Sequence, residues 1–114
     1  MRIRFIKPVE THALRQSVLR PRQPLDEMEW SQDRAEESFH LGVGIGGHLI
    51  AVVSFLRERN ELLKGWKQYR LRGMATHPDH QQEGAGAELL QFGLDHLRTL
   101  KADLVWCNAR ERAK

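Results

Sequence analysis

Hydrophobic and polar residues alternate in several short stretches of the chain, as β-strands with two different faces require. The stretch RIRFIK near the N-terminus predicts a short first strand. Residues 39–58 predict two strands around Gly46 and Gly47, because a glycine pair favours a tight hairpin turn. The second of these strands, residues 49–56, is almost continuously apolar, which indicates a strand covered on both faces.

Two further strands are predicted, YRLRGMATH at residues 69–77 and ADLVWCN at residues 102–108. Simple alternation assigns the side chains of the first as follows: Tyr69, Leu71 and Ala75 on one face, and Arg70, Arg72 and Met74 on the other. Gly73 interrupts this strand, and a glycine inside a strand indicates a bulge or a close backbone approach.

The spacing of apolar residues changes to a helical period between Ala85 and Leu100. The expected buried stripe is Gly86, Leu89, Gly93, Leu97 and Leu100. An earlier helical stretch opens at Pro8 and ends before Pro21, since the residue before a proline avoids helical geometry. We also expect a short helix in the second half of the acidic segment 26–37, and the start of another helix at residues 109–114.

The predicted order is strand, helix, short helix, three strands, helix and strand. This order indicates an α/β domain with a mixed sheet, and 114 residues are enough for one domain, residues 1–114. The single cysteine, Cys107, excludes an internal disulfide and a thiolate metal cluster, and we predict no metal site.

The charge and hydropathy of the chain limit its partners. The net charge of +3 suits an anionic ligand, but the arginines do not cluster in sequence and no base-stacking motif is present. We therefore predict no nucleic-acid partner. No signal peptide and no apolar run of about 20 residues is present, so we predict no membrane partner and a cytoplasmic location.

Gly84 and Gly86 stand where the long helix begins, although glycine inside a helix is unfavourable. Unpaired amides at a helix start form an anion site, and missing side chains let a phosphate approach them. The chain lacks the lysine of a P-loop, and Leu89 replaces the third glycine of a dinucleotide fingerprint. Tight packing of the helix on a sheet is the alternative explanation.

The segment QQEGAGA, residues 81–87, matches the [R/Q]-x-x-G-x-[G/A] signature of the GNAT family of N-acetyltransferases. The longer stretch YRLRGMATHPDHQQEGAGAELLQFGLDHL resembles that family's strand, pyrophosphate loop and helix, and LVWCNARERA resembles the strand that follows. The resemblance implies a GNAT-like acyl-CoA N-acyltransferase fold lacking its last strands. It also implies an apolar sheet edge near the C-terminus, so that either the chain is shortened or a second copy covers that edge in a homodimer.

The resemblance further implies acetyl-CoA (CoA) as the cofactor. Its pyrophosphate would bind the amides of Gln81, Gln82, Glu83, Gly84, Ala85, Gly86 and Ala87. Its pantetheine arm would lie along Met74, Ala75 and Thr76. A bulge near Gly73 would turn an amide toward the thioester carbonyl, where negative charge develops. Asn108 would cap the last helix and contact the arm, with a plain helix cap as the alternative. The charge of Glu83 departs from the usual pattern.

The implied activity is transfer of an acetyl group to a primary amine, small or peptidic, by direct attack in a ternary complex. The alternative is a non-catalytic acyl-CoA-binding or regulatory module. An amine must lose a proton before it attacks, and the candidate bases are Glu58, Glu61 and His77.

Three further expectations concern the walls of the site. Carboxylates of the segment 26–37 would favour a cationic acceptor, unless they form a solvated helix face. Cys107 is expected to be buried, with a covalent acetyl-cysteine as the alternative. Trp66 and Trp106 are expected in the core or in the walls of a cleft.

Overall fold

A single mixed sheet organises the fold in the computed structural model, which describes residues 2–108. The strands are β1 (Arg2–Ile6), β2 (Phe39–Ile45), β3 (His48–Arg57), β4 (Gln68–Thr76) and β5 (Leu104–Trp106), and they lie in that order across the sheet. The pairs β1–β2, β2–β3 and β3–β4 are antiparallel, whereas β5 is parallel to β4. The predicted α/β mixed sheet is confirmed.

Two helical segments cover the sheet. The first, α1, combines a 3-10 turn (Pro8–Thr11), an α-helical turn (His12–Leu14) and a π-helical turn (Arg15–Leu19). The second, α2, is a regular helix at Ala85–Thr99. Both were expected from the sequence. No helix in residues 2–108 is long and apolar enough to cross a membrane.

The β2–β3 hairpin turns at the predicted glycines. Gly46 and Gly47 have φ angles of 59° and 85°, which glycine adopts without steric cost. Strand β3 is buried on both faces from Ile50 to Leu56, as its apolar sequence predicted. The hairpin thereby places β3 at the centre of the sheet.

The helix α2 packs on one face of the sheet through Leu89 and Leu97, against a core that includes Val53, Phe55 and Tyr69. The closest approach is at Gly93, where a Cβ atom would overlap the ring of Phe55. At Gly86 a Cβ atom would lie an ordinary 3.5 Å from Met74 Sδ. Gly93, rather than Gly86, therefore lets this helix lie close to the sheet.

A bulge at Gly73 changes which way the side chains of β4 point. The register with β3 shifts between Val52 and Ser54, and Gly73 has a φ angle of 71°. Beyond the bulge, Met74 packs into the α2 core and Ala75 packs with α1. The faces predicted for Met74 and Ala75 were wrong, because one extra residue reverses the alternation.

The acidic segment 26–37 does not contain the short helix expected in its second half. A 3-10 turn covers Leu25–Glu27, and turns follow. Met28 and Asp33 are both buried. The segment folds irregularly because these two side chains point into the protein.

Two other expectations about burial were wrong. Trp66 is 87% exposed, in the loop before β4, and Cys107 is exposed just after β5. Trp106 is partly buried, and its Nε1 donates to the carbonyl of Glu58. Strand β5 pairs with β4 at the edge of the sheet, and the homodimer through that edge stays a prediction. The helix start expected at residues 109–114 lies outside the described residues.

Candidate active site

Strands β4 and β5 pair over only three residues and then diverge. The pairs run from Gln68 with Leu104 to Arg70 with Trp106, and on this side no described strand continues alongside the rest of β4, whose other side pairs with β3. A groove of about 380 Å³ opens there. Its lining residues are Leu19, Arg70, Leu71, Arg72, Gly73, Met74, Cys107 and Asn108. The backbone of β4 beyond Arg70 therefore forms one wall of an open cleft.

A second hollow, of about 430 Å³, lies at the start of α2. Its lining residues are Val18, Met74, Thr76, His80, Gln81, Gln82, Gly84, Ala85, Gly86 and Ala87. Met74 lines both spaces, so together they follow β4 from the bulge to the helix N-terminus. The structure thus brings together most of the residues that the sequence assigned to a cofactor.

The loop before α2 borders this hollow and contains two residues with a left-handed backbone. Gln82 and Gly84 have φ angles of 70° and 88°, and Gly84 is the N-cap residue. The N-cap has no side-chain hydrogen bond to the first turn. The first helical bond described is Glu88 N to Gly84 O, at 3.0 Å. Amides at such a helix start attract an anion.

Three predicted cofactor residues hold positions at the margin of these spaces. The side chain of Glu83 does not line the hollow, and its Oε1 lies 3.1 Å from His80 Nδ1. The side chain of Ala75 is buried against α1, and Ala75 lines neither space. Asn108 is exposed at the far side of the groove, and the helix it would cap lies outside residues 2–108.

The three candidate bases have different surroundings. Glu58 Oε2 lies 3.4 Å from Arg70 Nη1, beside the groove. Glu61 is in an exposed loop, 3.7 Å from Arg59. His77 follows the other end of β4, where its Nδ1 accepts a hydrogen bond from the Asp79 amide. Only Glu58 contacts a residue that lines the groove.

A buried polar network supports the bulge from the α1 side. The Arg15 guanidinium donates to both carboxylate oxygens of Asp33, at 2.6 and 2.9 Å, and to Ser54 Oγ at 2.8 Å. Burial alone would raise the pKa of Asp33, but hydrogen bonds from Arg15 and the Trp30 amide hold it below its ordinary value. The charged pair is therefore maintained inside the protein.

His40 completes this network. Its Nε2 lies 3.0 Å from the carbonyl oxygen of Asp33, which can only accept, and its Nδ1 lies 2.6 Å from Ser54 Oγ. Burial lowers the pKa of His40. The ring is therefore neutral, with the proton on Nε2 donated to that carbonyl. No three His, Cys, Asp or Glu side chains within residues 2–108 form a group that could hold a metal.

The sequence indicated Trp30 only as a possible anchor of the acidic segment and gave Arg15 no role. Arg15 is fully buried, and both its guanidinium and that of Arg72 lie over the Trp30 ring, 3.6 and 3.9 Å from its centroid. One signal was available for Arg15. Thr11, Leu14, Arg15 and Val18 share one helix face, and an arginine on an otherwise apolar face indicates a buried partner.

Comparisons with known proteins agree with this architecture. The sequence model of the Acetyltransferase (GNAT) family matches residues 6–113. An uncharacterized N-acetyltransferase, YitI of Bacillus subtilis (strain 168), is 37% identical over 114 residues, covering 100% of this chain and 76% of that protein.

Solved structures of low sequence identity share the fold. A ribosomal-protein-alanine N-acetyltransferase from Brucella melitensis biovar Abortus 2308 is 19% identical with a TM-score of 0.72. The match covers 95% of this chain and 80% of the Brucella chain. AAC(6')-Iy in complex with the bisubstrate analogue CoA-S-monomethyl-acetylneamine is 15% identical with a TM-score of 0.74. The match covers 94% of this chain and 78% of the AAC(6')-Iy chain. The chain therefore belongs to the GNAT family of acetyltransferases, and its predicted class, an acetyl-CoA-dependent N-acetyltransferase, is confirmed.

Proposed function

We propose that this protein transfers an acetyl group from acetyl-CoA to a primary amine, with both substrates bound at once. One observation carries the proposal. Two adjoining spaces follow β4 from the start of α2 to the bulge at Gly73, and Met74 lines both of them. A long ligand with an anionic end fits such a space, with that end at the helix.

The residues present fit CoA. The backbone at Gly84, Ala85, Gly86 and Ala87 would hold the pyrophosphate, because the N-cap glycine leaves the first-turn amides without a side-chain acceptor. The unpaired side of β4 at Met74 and Thr76 would hydrogen-bond an extended arm, as an edge strand does. When bound, acetyl-CoA supplies an activated acetyl thioester.

Glu58 is the base that the geometry favours. It lies next to Arg70 at the groove, whereas Glu61 and His77 lie away from the bulge. In the transfer, the amine nitrogen bonds to the acetyl carbon as the carbon–sulfur bond breaks. One proton leaves the nitrogen and one proton is taken up by the sulfur. Glu58, directly or through water, would accept the first of these protons.

Calorimetric titration tests the cofactor half of the proposal. Acetyl-CoA and dephospho-CoA should both bind, and acetyl-pantetheine, which lacks the pyrophosphate, should bind far more weakly. Gly86→Asp should abolish binding by placing a carboxylate beside the hollow. Gly86→Ala is the matched control and should retain it, because its Cβ has room. Equal binding by Gly86→Asp would refute the site.

Kinetics test the catalytic half. Intersecting initial-rate lines indicate a ternary complex, and full activity of Cys107→Ala would exclude an acetyl-cysteine. Comparing Glu58→Gln, Glu61→Gln and His77→Gln separates the three candidate bases. We expect Glu58→Gln alone to lower kcat without weakening acetyl-CoA binding. Cofactor binding without turnover for any amine would instead favour the non-catalytic module.

A further inference from the structure

A third cavity adjoins the bulge on the α1 side of the sheet. It has a volume of about 310 Å³. Its lining residues are Val18, Leu19, Arg20, Trp30, Arg72 and Gly73. Three of these, Leu19, Arg72 and Gly73, also line the groove between β4 and β5. A small molecule in this cavity would therefore reach the bulge from the side opposite α2.

Positive charge is concentrated at this cavity. Arg72 is half-buried over Trp30, and burial, followed by the positive charges of Arg70 and Arg20, lowers its pKa. The positive charge of Arg70 is partly compensated by the carboxylate of Glu58. Within residues 2–108, neither Arg20 nor Arg72 has a carboxylate partner at ion-pair distance. Two guanidinium groups thus border the cavity without a described counter-ion.

The nearby carboxylates are engaged elsewhere. Asp33 is buried against Arg15, Glu29 pairs with Arg34 at 2.9 Å, and Glu37 pairs with Arg57 at 3.1 Å. Trp30 is the one residue of the segment 26–37 that lines this cavity, and it adds no charge. The cationic acceptor expected from that segment therefore has no described carboxylate to bind here.

We infer that the acceptor is a small primary amine that also carries a carboxylate or phosphate group. Arg72 and Arg20 bind the anionic group, and the amine extends toward the bulge at Gly73. Arginine suits this role because its planar guanidinium donates paired hydrogen bonds to either anion. The inference rests on the proposed function and specifies its acceptor.

Binding in the absence of cofactor tests the inference directly. The probes are two matched pairs, β-alanine with propylamine and O-phosphoethanolamine with ethanolamine, together with spermidine as a polycation. Trp30 lies in the cavity wall, so its fluorescence reports binding. The exposed Trp66 is replaced by phenylalanine to reduce background. We expect saturable binding of at least one amine that carries an anionic group, and none for propylamine, ethanolamine or spermidine, which lack one.

Substitutions locate that binding. Arg72→Gln and Arg20→Gln should each weaken it by about tenfold to a hundredfold, the effect of a charge-assisted hydrogen bond. Arg72→Lys keeps the charge and should recover part of the loss. Arg98→Gln, on an exposed face of α2, is the matched control and should change nothing. Thermal unfolding of each variant shows whether it is folded.

Steady-state rates with acetyl-CoA separate this inference from the proposed function. We expect kcat/KM to favour each amine with an anionic group over its partner without one, and Arg72→Gln to remove that preference while acetyl-CoA still binds. Preferential acetylation of spermidine would overturn the inference alone. A folded protein that shows no preference for the anionic amines, with or without CoA, would also overturn it. Failure to bind acetyl-CoA would overturn the proposed function.

Discussion

Gly73 in β4 lies directly against the indole of Trp30: a Cβ atom at position 73 would come within 2.7 Å of the Trp30 ring. The same glycine has a φ angle of 71°, which forms the bulge between the groove and the arginine-lined cavity. The indole is itself held between neighbours, since the guanidinium groups of Arg15 and Arg72 both lie over it. The packing of Trp30 and the shape of β4 therefore depend on each other.

Gly73→Ala should destabilise the protein for two reasons, the left-handed backbone and the contact with Trp30. Gly47→Ala is a control for the first reason alone, because Gly47 has a φ angle of 85° and open space around it. We expect the control to cost about 1–2 kcal/mol and Gly73→Ala to cost about 1–3 kcal/mol more, measured by urea unfolding. An equal loss of unfolding free energy in the two variants would mean that Trp30 moves aside without cost.

Substitution by alanine should affect the free energy of unfolding differently at two glycines of α2. Gly93→Ala should lower the free energy of unfolding by about 1–3 kcal/mol, because the new Cβ overlaps the ring of Phe55. Gly86→Ala has space and should leave stability unchanged or raise it by up to about 1 kcal/mol through helix propensity. Urea unfolding of both variants checks this, and a stabilising Gly93→Ala would contradict the observed packing.

Acid should destabilise the protein through His40. Burial lowers the folded-state pKa of His40 below the ordinary 6.5, so the unfolded chain binds this proton more readily than the folded protein. The stabilisation that the neutral His40 ring provides is therefore fully present above about pH 7, and it is lost as the pH falls below 6.5. The slope of the free energy of unfolding against pH should approach about 1.4 kcal/mol per pH unit.

The variant His40→Gln isolates this contribution. The wild-type protein and the variant are unfolded in urea at several pH values between 5 and 8. We expect the stability difference between them to shrink as the pH falls, because only the wild type loses the neutral-ring contribution. A difference that stays constant across this range would show that His40 does not titrate in the folded protein as its burial implies.

Asp33→Ala should cost about 3–5 kcal/mol, because it leaves the Arg15 guanidinium buried without its carboxylate. The double variant Arg15→Met/Asp33→Leu should recover most of that loss, since it removes both charges. Glu29→Ala breaks an exposed pair with Arg34 and should have no measurable effect. A mild Asp33→Ala phenotype would mean that Arg15 reaches solvent. Equilibrium unfolding measures all three variants.

Cys107 should report cofactor binding without any enzymatic assay. It is exposed, it lines the groove, and it is the only cysteine in the chain. Iodoacetamide should therefore add one mass label, and saturating CoA should slow the labelling about tenfold or more by covering the thiol. In Gly86→Asp the same CoA concentration should give no protection. Undiminished labelling of the CoA-bound wild type would place the cofactor elsewhere.

Local patterns were sufficient to predict most of the elements. The glycine pair 46–47 predicted the hairpin, the helical period predicted α2, and Gly73 predicted a bulge in β4. Each of these features depends on backbone preferences or on periodicity within a few residues, which a single sequence displays. The glycines before α2 likewise indicated an open helix start, although Val18 and Met74 from distant segments complete the hollow beside it.

The other features depend on residues distant in sequence. Arg15 and Asp33 pair across 18 residues, and Trp30 meets Gly73 only after α1 and β4 pack on each other. The reversed faces of Met74 and Ala75 and the exposure of Cys107 follow from the bulge and from the divergence of β4 and β5. By itself the sequence determined the elements and the glycine-containing loop before α2, whose conformations are set by neighbouring residues. The tertiary structure alone decided which charges are buried and which arginines line the cavity beside the bulge, because packing between distant segments determines where each side chain meets a partner or solvent.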